Sequence, residues 1–359
     1  MKNHRILVCP LNWGIGHASR CVPIIKSLQD EGAEVIIAAE GRPLEFLKQE
    51  FPELETIVFK GYTPRYPHTG SMAWKMFWSM FPLLIGIWTE HWRVRKIVKI
   101  NKIDAIISDN RFGLWRWKTP SAYITHQLMI KAPWHLKLAE PFLFLFHRFF
   151  VHRFDRCWVP DQAGEENLSG DLSHLYPVPA HVEFIGPLSR FETIKANTTS
   201  DNLILALVSG PEPQRSIFEK LLRKQLSELD QPSVLVAGIP EESTVETINN
   251  MTVYSHLQST ELLPFIQKAA FVICRSGYST LMDLAALNKK AVFIPTPGQT
   301  EQEYLAEFHE KNGACLRYSQ KNFDVNKALV EIEKVKPLTV YYNPKQLHAV
   351  VRNFLRSLE

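Results

Sequence analysis

The chain has 359 residues, 45% of them hydrophobic and 22% charged, with a formal net charge of +4. That length is long for one domain and comfortable for two, and the composition is that of a globular chain able to bury a sizeable core. The mild positive charge suits an anionic ligand or an anionic membrane surface and falls well short of a nucleic-acid-binding signature, so no nucleic-acid partner is expected.

The N-terminal decapeptide MKNHRILVCP enters a strand almost at once and lacks the long apolar core of a signal peptide. Cys9, Cys21, Cys157, Cys274 and Cys315 are scattered, odd in number and without a CxxC pair. That argues for a reducing compartment and against a disulfide framework or a zinc site. A cytoplasmic location is the expectation.

The first strand, over residues 5–9, leads into PLNWGIGHASR and a helix over 18–31. Gly14 and Gly16 let the backbone turn tightly and approach a ligand closely. The helix start presents free N–H groups and a partial positive charge, which suit an anion or oxyanion. His17 stands at that start and is the first candidate for a general base; the bland alternative is a capping histidine. A dinucleotide fingerprint would need glycine where the chain has Ser19, although Glu40, closing the second strand, sits where a ribose-binding acid would.

Further short apolar runs at 34–39, 55–59, 103–108, 121–125, 156–159 and 182–185 read as buried parallel strands separated by helix-length segments. This alternation predicts a doubly wound α/β domain. Between them, residues 72–102 carry Trp74, Phe77, Trp78, Phe81, Leu84, Ile85, Trp88 and Trp92, followed by Arg93, Arg95, Lys96, Lys99 and Lys102. A second aromatic stretch, PFLFLFHRFFVHRF, spans 141–154. Aromatics beside basic residues suit peripheral contact with an anionic membrane; a core helix with a solvated basic end is the competing reading. The uncharged run 76–89 is too short to span a bilayer.

SDNRFG, residues 108–113, follows the fourth strand, so Asp109, Asn110 and Arg111 fall at the carboxyl end of a strand, where ligands bind in such sheets. His126 and Gln127 end the next strand in the same way. Asn12, Gly14, Asn110, Arg111 and His126 are the candidate acceptor-facing groups. Asp109 rivals His17 as base, or orients it.

Residues 192–201 are polar, without apolar periodicity, and read as an interdomain linker. The strand pattern then restarts at 203–208, 233–237, 251–254, 271–274 and 291–294, with helices over 218–229, 280–287 and 302–311. After the first of these strands comes VSGPEPQR, where Ser209 and Gly210 can bind phosphate and Arg215 can neutralise it. The segment ICRSGYSTLMDLAALNKKAVFIPTPGQTEQEYLAEFHEKNGA, residues 273–314, is the more specific signal. A strand ends at Arg275, Ser276 and Gly277, and a helix opens near Ser279 and Thr280, either of which can cap it. Asp283 is expected on the first turn as a ribose ligand. Gln299 and Gln302, ahead of the next helix, can hold sugar hydroxyls. The tail 343–358 reads as one amphipathic helix.

Residues 273–314 resemble the C-terminal donor-binding domain of glycosyltransferase family 28, and residues 12–28, NWGIGHASRCVPIIKSL, resemble the glycine-rich loop and helix that open that family's N-terminal domain. The family includes the N-acetylglucosaminyltransferase of lipid II synthesis and monogalactosyldiacylglycerol synthase. The resemblance implies a GT-B fold, an α/β architecture of two Rossmann-like doubly wound domains facing a central cleft. It implies an acceptor in the first domain, a UDP-sugar in the second, and inversion at the anomeric carbon without a bound metal or other cofactor. It assigns Asp283 to the ribose, where the family commonly has Glu, Gln302 to the donor sugar, and Gly16 and His17 to the loop facing the reaction centre. The loop 208–215 departs from the family's Gly-Gly-Ser type loop and puts the identity of the donor in question.

The expected organisation is an acceptor-binding domain over 1–186, a nucleotide-sugar-binding domain over 187–342, and a C-terminal helix over 343–359 packed back on the first. The expected activity is transfer of a hexose or N-acetylhexosamine from a nucleotide diphosphate sugar to a lipid or glycan hydroxyl, at the inner face of the cytoplasmic membrane if the aromatic segments touch lipid. A UDP-sugar 2-epimerase of the same fold, a nicotinamide-dependent oxidoreductase and a non-catalytic nucleotide-sugar-binding protein are the alternatives.

Overall fold

The structure is a computed structural model that describes residues 3–61, 72–132, 134–191 and 202–359. The first lobe is a seven-stranded sheet. Its strands are β1 (Arg5–Pro10), β2 (Glu34–Ala39), β3 (Glu55–Val58), β4 (Ala105–Asp109), β5 (Ser121–Ile124), β6 (Arg156–Val159) and β7 (Val182–Phe184). All pair in parallel in the order β3-β2-β1-β4-β5-β6-β7. The intervening helices are α1 (Gly16–Asp30), α2 (Gly41–Glu50), α3 (Met72–Ile100), α4 (Glu140–Val151) and the short α5 (Asp171–His174). Parallel pairing buries both sheet faces, which is why Ile6–Cys9 and Ile36–Ala38 are unbroken apolar runs with no exposed side chain.

The second lobe repeats the plan. Strands β8 (Leu203–Leu207), β9 (Ser233–Val236), β10 (Val245–Ile248), β11 (Met251–Tyr254), β12 (Ala269–Cys274), β13 (Ala291–Phe293) and β14 (Cys315–Arg317) form a sheet in the order β10-β11-β9-β8-β12-β13-β14. Only β10 runs antiparallel, to β11. Helices α6 (Gln214–Leu226), α7 (Ser259–Lys268), α8 (Tyr278–Ala286), α9 (Thr300–Lys311) and α10 (Val325–Glu331) flank it. In both sheets the strand order reverses beside the first strand, between β1 and β4 and between β8 and β12. Crevices open outside the carboxyl ends of the strands at such points, and here the two crevices face each other.

The last helix, α11 (Pro344–Arg356), returns to the first lobe. Leu347, Val350, Val351, Phe354 and Leu355 recur at helical spacing and are all buried. Phe354 meets the Trp158 ring edge-on at 5.3 Å, and Arg352 pairs with Glu31 at the end of α1. Each such burial is worth about 1.5–3 kcal/mol, which holds the tail across the lobes.

The sequence reading missed β10, β14, α7 and α10. β10 is a mostly exposed edge of Val-Glu-Thr-Ile with no apolar alternation, and β14 has only three residues. The helix α7 runs straight into β12 without a turn residue, so its apolar face merges with the strand; its start is marked by a Gln258–Glu261 capping box. The linker expected over 192–201 lies outside the described residues. No helix of the described residues is long and apolar enough to cross a membrane.

Candidate active site

A cavity of about 530 Å³ lies between the lobes, walled by loops that leave the carboxyl ends of strands on both sides. From the first lobe come Leu11, Trp13 to His17, Asn110 to Phe112, His126, Gln127 and Ile130 to Ala132; from the second come Leu207 to Pro211, Gly277 to Thr280 and Gly298 to Gln302. The approach is close. Gly14 and Gly210 both adopt positive φ, and a Cβ on Gly14 would stand 3.9 Å from the Gly210 Cα.

His17 and Arg20 sit one turn apart on α1 and so share a face. Asp109, at the last position of β4, pairs in register with Pro10 of β1, directly beside the loop that carries His17. Its carboxylate is fully buried. Arg20 Nε donates to Oδ2 at 2.7 Å and Arg20 Nη2 donates to Oδ1. The His17 Nδ1 lies 3.2 Å from the same Oδ1. Burial pushes the Asp109 carboxyl up, but Arg20 and His17 outweigh it and hold the group down to about 2. Its oxygens are spent on Arg20, His17 and Cys21, and Asp109 lies behind His17 rather than among the residues lining the cavity. No described residue bonds His17 Nε2, and His17 lines the cavity.

His126 was expected to face the acceptor; instead both ring nitrogens are used. Arg20 Nη1 reaches Nδ1 at 2.9 Å, and Nε2 reaches Glu301 Oε1 of the second lobe at 2.8 Å. A guanidinium only donates, so Nδ1 must accept and the ring proton lies on Nε2. Burial lowers the His126 pKa against the pull of Glu301, keeping the ring neutral, while His126 and its neighbours hold Glu301 ionised despite burial. Tyr278 stacks flat on the ring, centroids 4.1 Å apart. Gln127 also donates to Glu301.

On the donor side, α8 begins at Tyr278 with Gly277 as N-cap. Ser279 therefore does not cap the helix; its hydroxyl donates to the Gly16 carbonyl at 2.7 Å. Thr280, Ser209, Gly210 and Gln299 line the cavity as expected positions. Asp283 lines it too, but it lies on the second turn rather than the first, and its oxygens accept from Ser189 Oγ at 2.9 Å, Arg190 N at 3.2 Å and Arg190 Nε at 3.1 Å. Burial raises its pKa against Arg190. Gln302 falls inside α9, and its Oε1 accepts from the Thr296 amide at 2.8 Å.

Five candidates are not among the residues lining the cavity, Asp109 behind His17 and four others. Arg215 is absorbed by Glu212 and Glu219. The Arg275 guanidinium donates to the carbonyls of Ile294, Pro295 and Gln214 and lies over the Phe218 ring; burial lowers its pKa to about 10. Ser276 donates to the Gln302 carbonyl, and Asn12 is buttressed against Gly41. Arg111 and Asn110 do line the cavity, yet Arg111 is spent on Glu90 and Asn110 accepts from the Tyr123 hydroxyl at 2.8 Å.

The sequence reading overlooked Arg20, Arg190, Tyr278 and Glu301. Arg20 carried a signal, the three-residue spacing from His17. Arg190 carried none: it follows a strand of the first lobe and reaches Asp283 across 93 positions. Among the described residues, nothing accepts from its two terminal nitrogens, and it lines the cavity.

The far end of the cavity is apolar, walled by Leu83, Ile87, Phe112, Ile130 and Leu143. These belong to α3, α4 and the loops between. The outer faces of the same helices expose Ile85, Trp88 and Trp92 on α3 and Phe142, Leu145 and Phe149 on α4, while Ile87, Val94 and Val98 turn inward. Part of α3 is thus core and part is surface. The side chains of Trp74, Phe77, Trp78 and Phe81 lie outside those described.

Residues 237–349 match the glycosyltransferase family 28 C-terminal domain. An uncharacterized glycosyltransferase of Methanosarcina acetivorans is 22% identical over 337 residues, 88% of this chain and 86% of its own. The UDP-N-acetylglucosamine--N-acetylmuramyl-(pentapeptide) pyrophosphoryl-undecaprenol N-acetylglucosamine transferase of Clostridium botulinum is 24% identical over 323 residues, 86% and 84% of the two chains. Among solved structures, the calicheamicin glycosyltransferase covers 100% of this chain and 95% of its own with a TM-score of 0.61 at 12% identity. Acinetobacter baumannii MurG covers 98% and 99% with a TM-score of 0.56 at 14% identity. The two facing sheets are those of the GT-B architecture.

Proposed function

We propose that this chain, a glycosyltransferase of family 28 that takes its sugar from a nucleotide sugar, transfers a hexose or N-acetylhexosamine from a UDP-sugar to a hydroxyl of a lipid-borne acceptor, with inversion at the anomeric carbon. The observation that carries the reading is His17 at the cavity wall, backed by the buried Asp109 and facing the loops 209–211 and 277–280 across the cleft.

In this reading the diphosphate lies against the start of α8 and the glycine loop after β8, where unpaired N–H groups and the helix dipole favour an anion. Arg190 takes the role expected of Arg215 or Arg275, presenting its free terminal nitrogens to the phosphates. The acceptor hydroxyl enters from the first lobe. Asp109 accepts from His17 Nδ1–H, which leaves a lone pair on Nε2 toward the cavity. Nε2 takes the hydroxyl proton as the acceptor oxygen bonds to the anomeric carbon. The bond from that carbon to the phosphate oxygen breaks, and UDP leaves with the electron pair, its charge stabilised by the loop amides and Arg190. Closure of the lobes excludes water and limits donor hydrolysis.

The lipid-borne acceptor is supported by the apolar end of the cavity, continuous with α3 and α4, and by the exposed aromatics beside Arg93, Arg95, Lys96 and Lys99. An aromatic face with basic neighbours suits an anionic membrane interface, where the acyl portion enters between the helices.

The test is a thermal-shift panel of UDP-, GDP- and dTDP-sugars, since a ligand that binds only the folded state raises its melting temperature. A UDP-sugar is expected to give the largest rise. His17→Ala should keep that shift and lose about 10²- to 10⁴-fold in transfer, the worth of a general base. Transfer at the wild-type rate in that variant removes His17 from the role. A new nucleotide sugar formed without acceptor would replace the reading with an epimerase.

A further inference from the structure

We propose that Glu301 of the second lobe positions the base of the first through His126 and Arg20, so that contact between the lobes governs which nitrogen of His17 carries the proton. The inference rests on the reading of His17 as the base.

Arg20 is 1% exposed and is the hub. Its guanidinium grips Asp109 through Nε and Nη2, donates from Nη1 to His126 Nδ1 at 2.9 Å, and brings Nη2 to 2.9 Å from His17 Nδ1. The His17 nitrogen therefore has two suitors. If Arg20 donates to it, the imidazole proton is forced onto Nε2 and no lone pair faces the cavity. If Asp109 accepts from it, Nε2 is the base. Where Arg20 lies decides between the two states.

His126 fixes where Arg20 lies, and the second lobe fixes His126. Glu301 accepts from Nε2–H at 2.8 Å, and Tyr278 covers the ring face at 4.1 Å with its planes 3° from parallel. Tyr278 is itself tied back to the first lobe by its hydroxyl, which donates to the Pro160 carbonyl at 2.9 Å. While Glu301 accepts at Nε2, Nδ1 must be the acceptor that Arg20 needs. Without Glu301 the ring is free to carry its proton on Nδ1, where it would oppose the Arg20 Nη1 hydrogens and displace the guanidinium from its place between Asp109 and His17. Glu301 sits between Gln299 and Gln302 at the start of α9, so the same segment that borders the donor side carries the latch. Arg20, His126 and Glu301 are positioning residues, since they act through His17.

The experiment uses the full chain with ¹⁵N-labelled histidine. Long-range ¹H–¹⁵N spectra report the tautomer of each imidazole without any substrate. Wild type should show His126 protonated at Nε2, and Glu301→Gln and Arg20→Lys should each shift the His17 ring nitrogens. Those shifts read the latch even if no UDP-sugar is turned over, which separates its failure from failure of the functional reading. In the activity arm, Glu301→Ala is expected to lower kcat about tenfold, with donor KM within twofold of wild type. The double variant Glu301→Gln with Arg20→Lys should lose no more than the worse single variant, because residues acting through one chain are not additive. Unmoved His17 resonances in folded Glu301→Gln, or strictly additive losses in the cycle, overturn the proposal.

Discussion

The Ser279 hydroxyl donates to the Gly16 carbonyl at 2.7 Å, joining the first turn of α8 in one lobe to the first turn of α1 in the other. The contact holds the loop that carries His17 directly against the start of the donor-side helix. A Cβ on Gly16 would stand 3.4 Å from that hydroxyl, in ordinary van der Waals contact, so the two helix starts approach closely here.

Ser279→Ala removes this one bridge and leaves a carbonyl without its partner. A neutral hydrogen bond contributes about 1 kcal/mol, so closure should weaken about fivefold. Hydrogen exchange at the amides of residues 16–20 should speed up by that factor, while the interior amides of β1 stay protected. Unchanged exchange at 16–20 contradicts the bridge.

Asp109 governs acid stability. Its folded pKa, about 2, lies below the ordinary carboxylate value near 4. The carboxylate therefore contributes its full stability above pH about 4, and that contribution is lost as pH falls through about 2. Asp109→Asn leaves the Arg20 guanidinium buried against a neutral amide, at a cost of about 3–5 kcal/mol near pH 7. Urea unfolding of the two proteins should show this gap at pH 7 and a narrowing gap below pH 4.

Arg190 is the cationic group with free donors at the donor end of the cavity. Arg190→Ala should weaken UDP binding about 10- to 100-fold by calorimetry, since hydrogen bonds to charged groups contribute about 1.5–3 kcal/mol. Arg215→Ala should leave the affinity unchanged, because that side chain is held by Glu212 and Glu219 away from the cavity. The reverse ranking would return the phosphate to the loop after β8.

Trp88 and Trp92 are 60% and 57% exposed on α3. Replacing both with Ser should reduce binding to phosphatidylglycerol vesicles at least tenfold, about 1.4 kcal/mol, with the melting temperature unchanged. Vesicle binding equal to wild type assigns the face to another role.

Local pattern made much of the fold legible. The apolar runs at 6–9, 35–39 and 271–274 became strands because a sheet buried on both faces demands unbroken apolar residues. The glycine loops were legible because a turn into a helix start has a local signature. The site was legible only in part. His17 at a helix start and Asp109 at a strand end could be named, but Arg275 and Ser276, equally at a strand end, turned into the second lobe and bonded its own backbone.

Periodicity and composition, which depend on neighbours a few residues away, determined by themselves two α/β halves, their strand ends and the loops that wall the cavity. Which side chains are free to act was decided by the tertiary structure alone. Arg20 with His126 and Asp283 with Arg190 meet across 106 and 93 positions. Burial makes each charge take the nearest partner, and no local pattern records a partner brought by the fold.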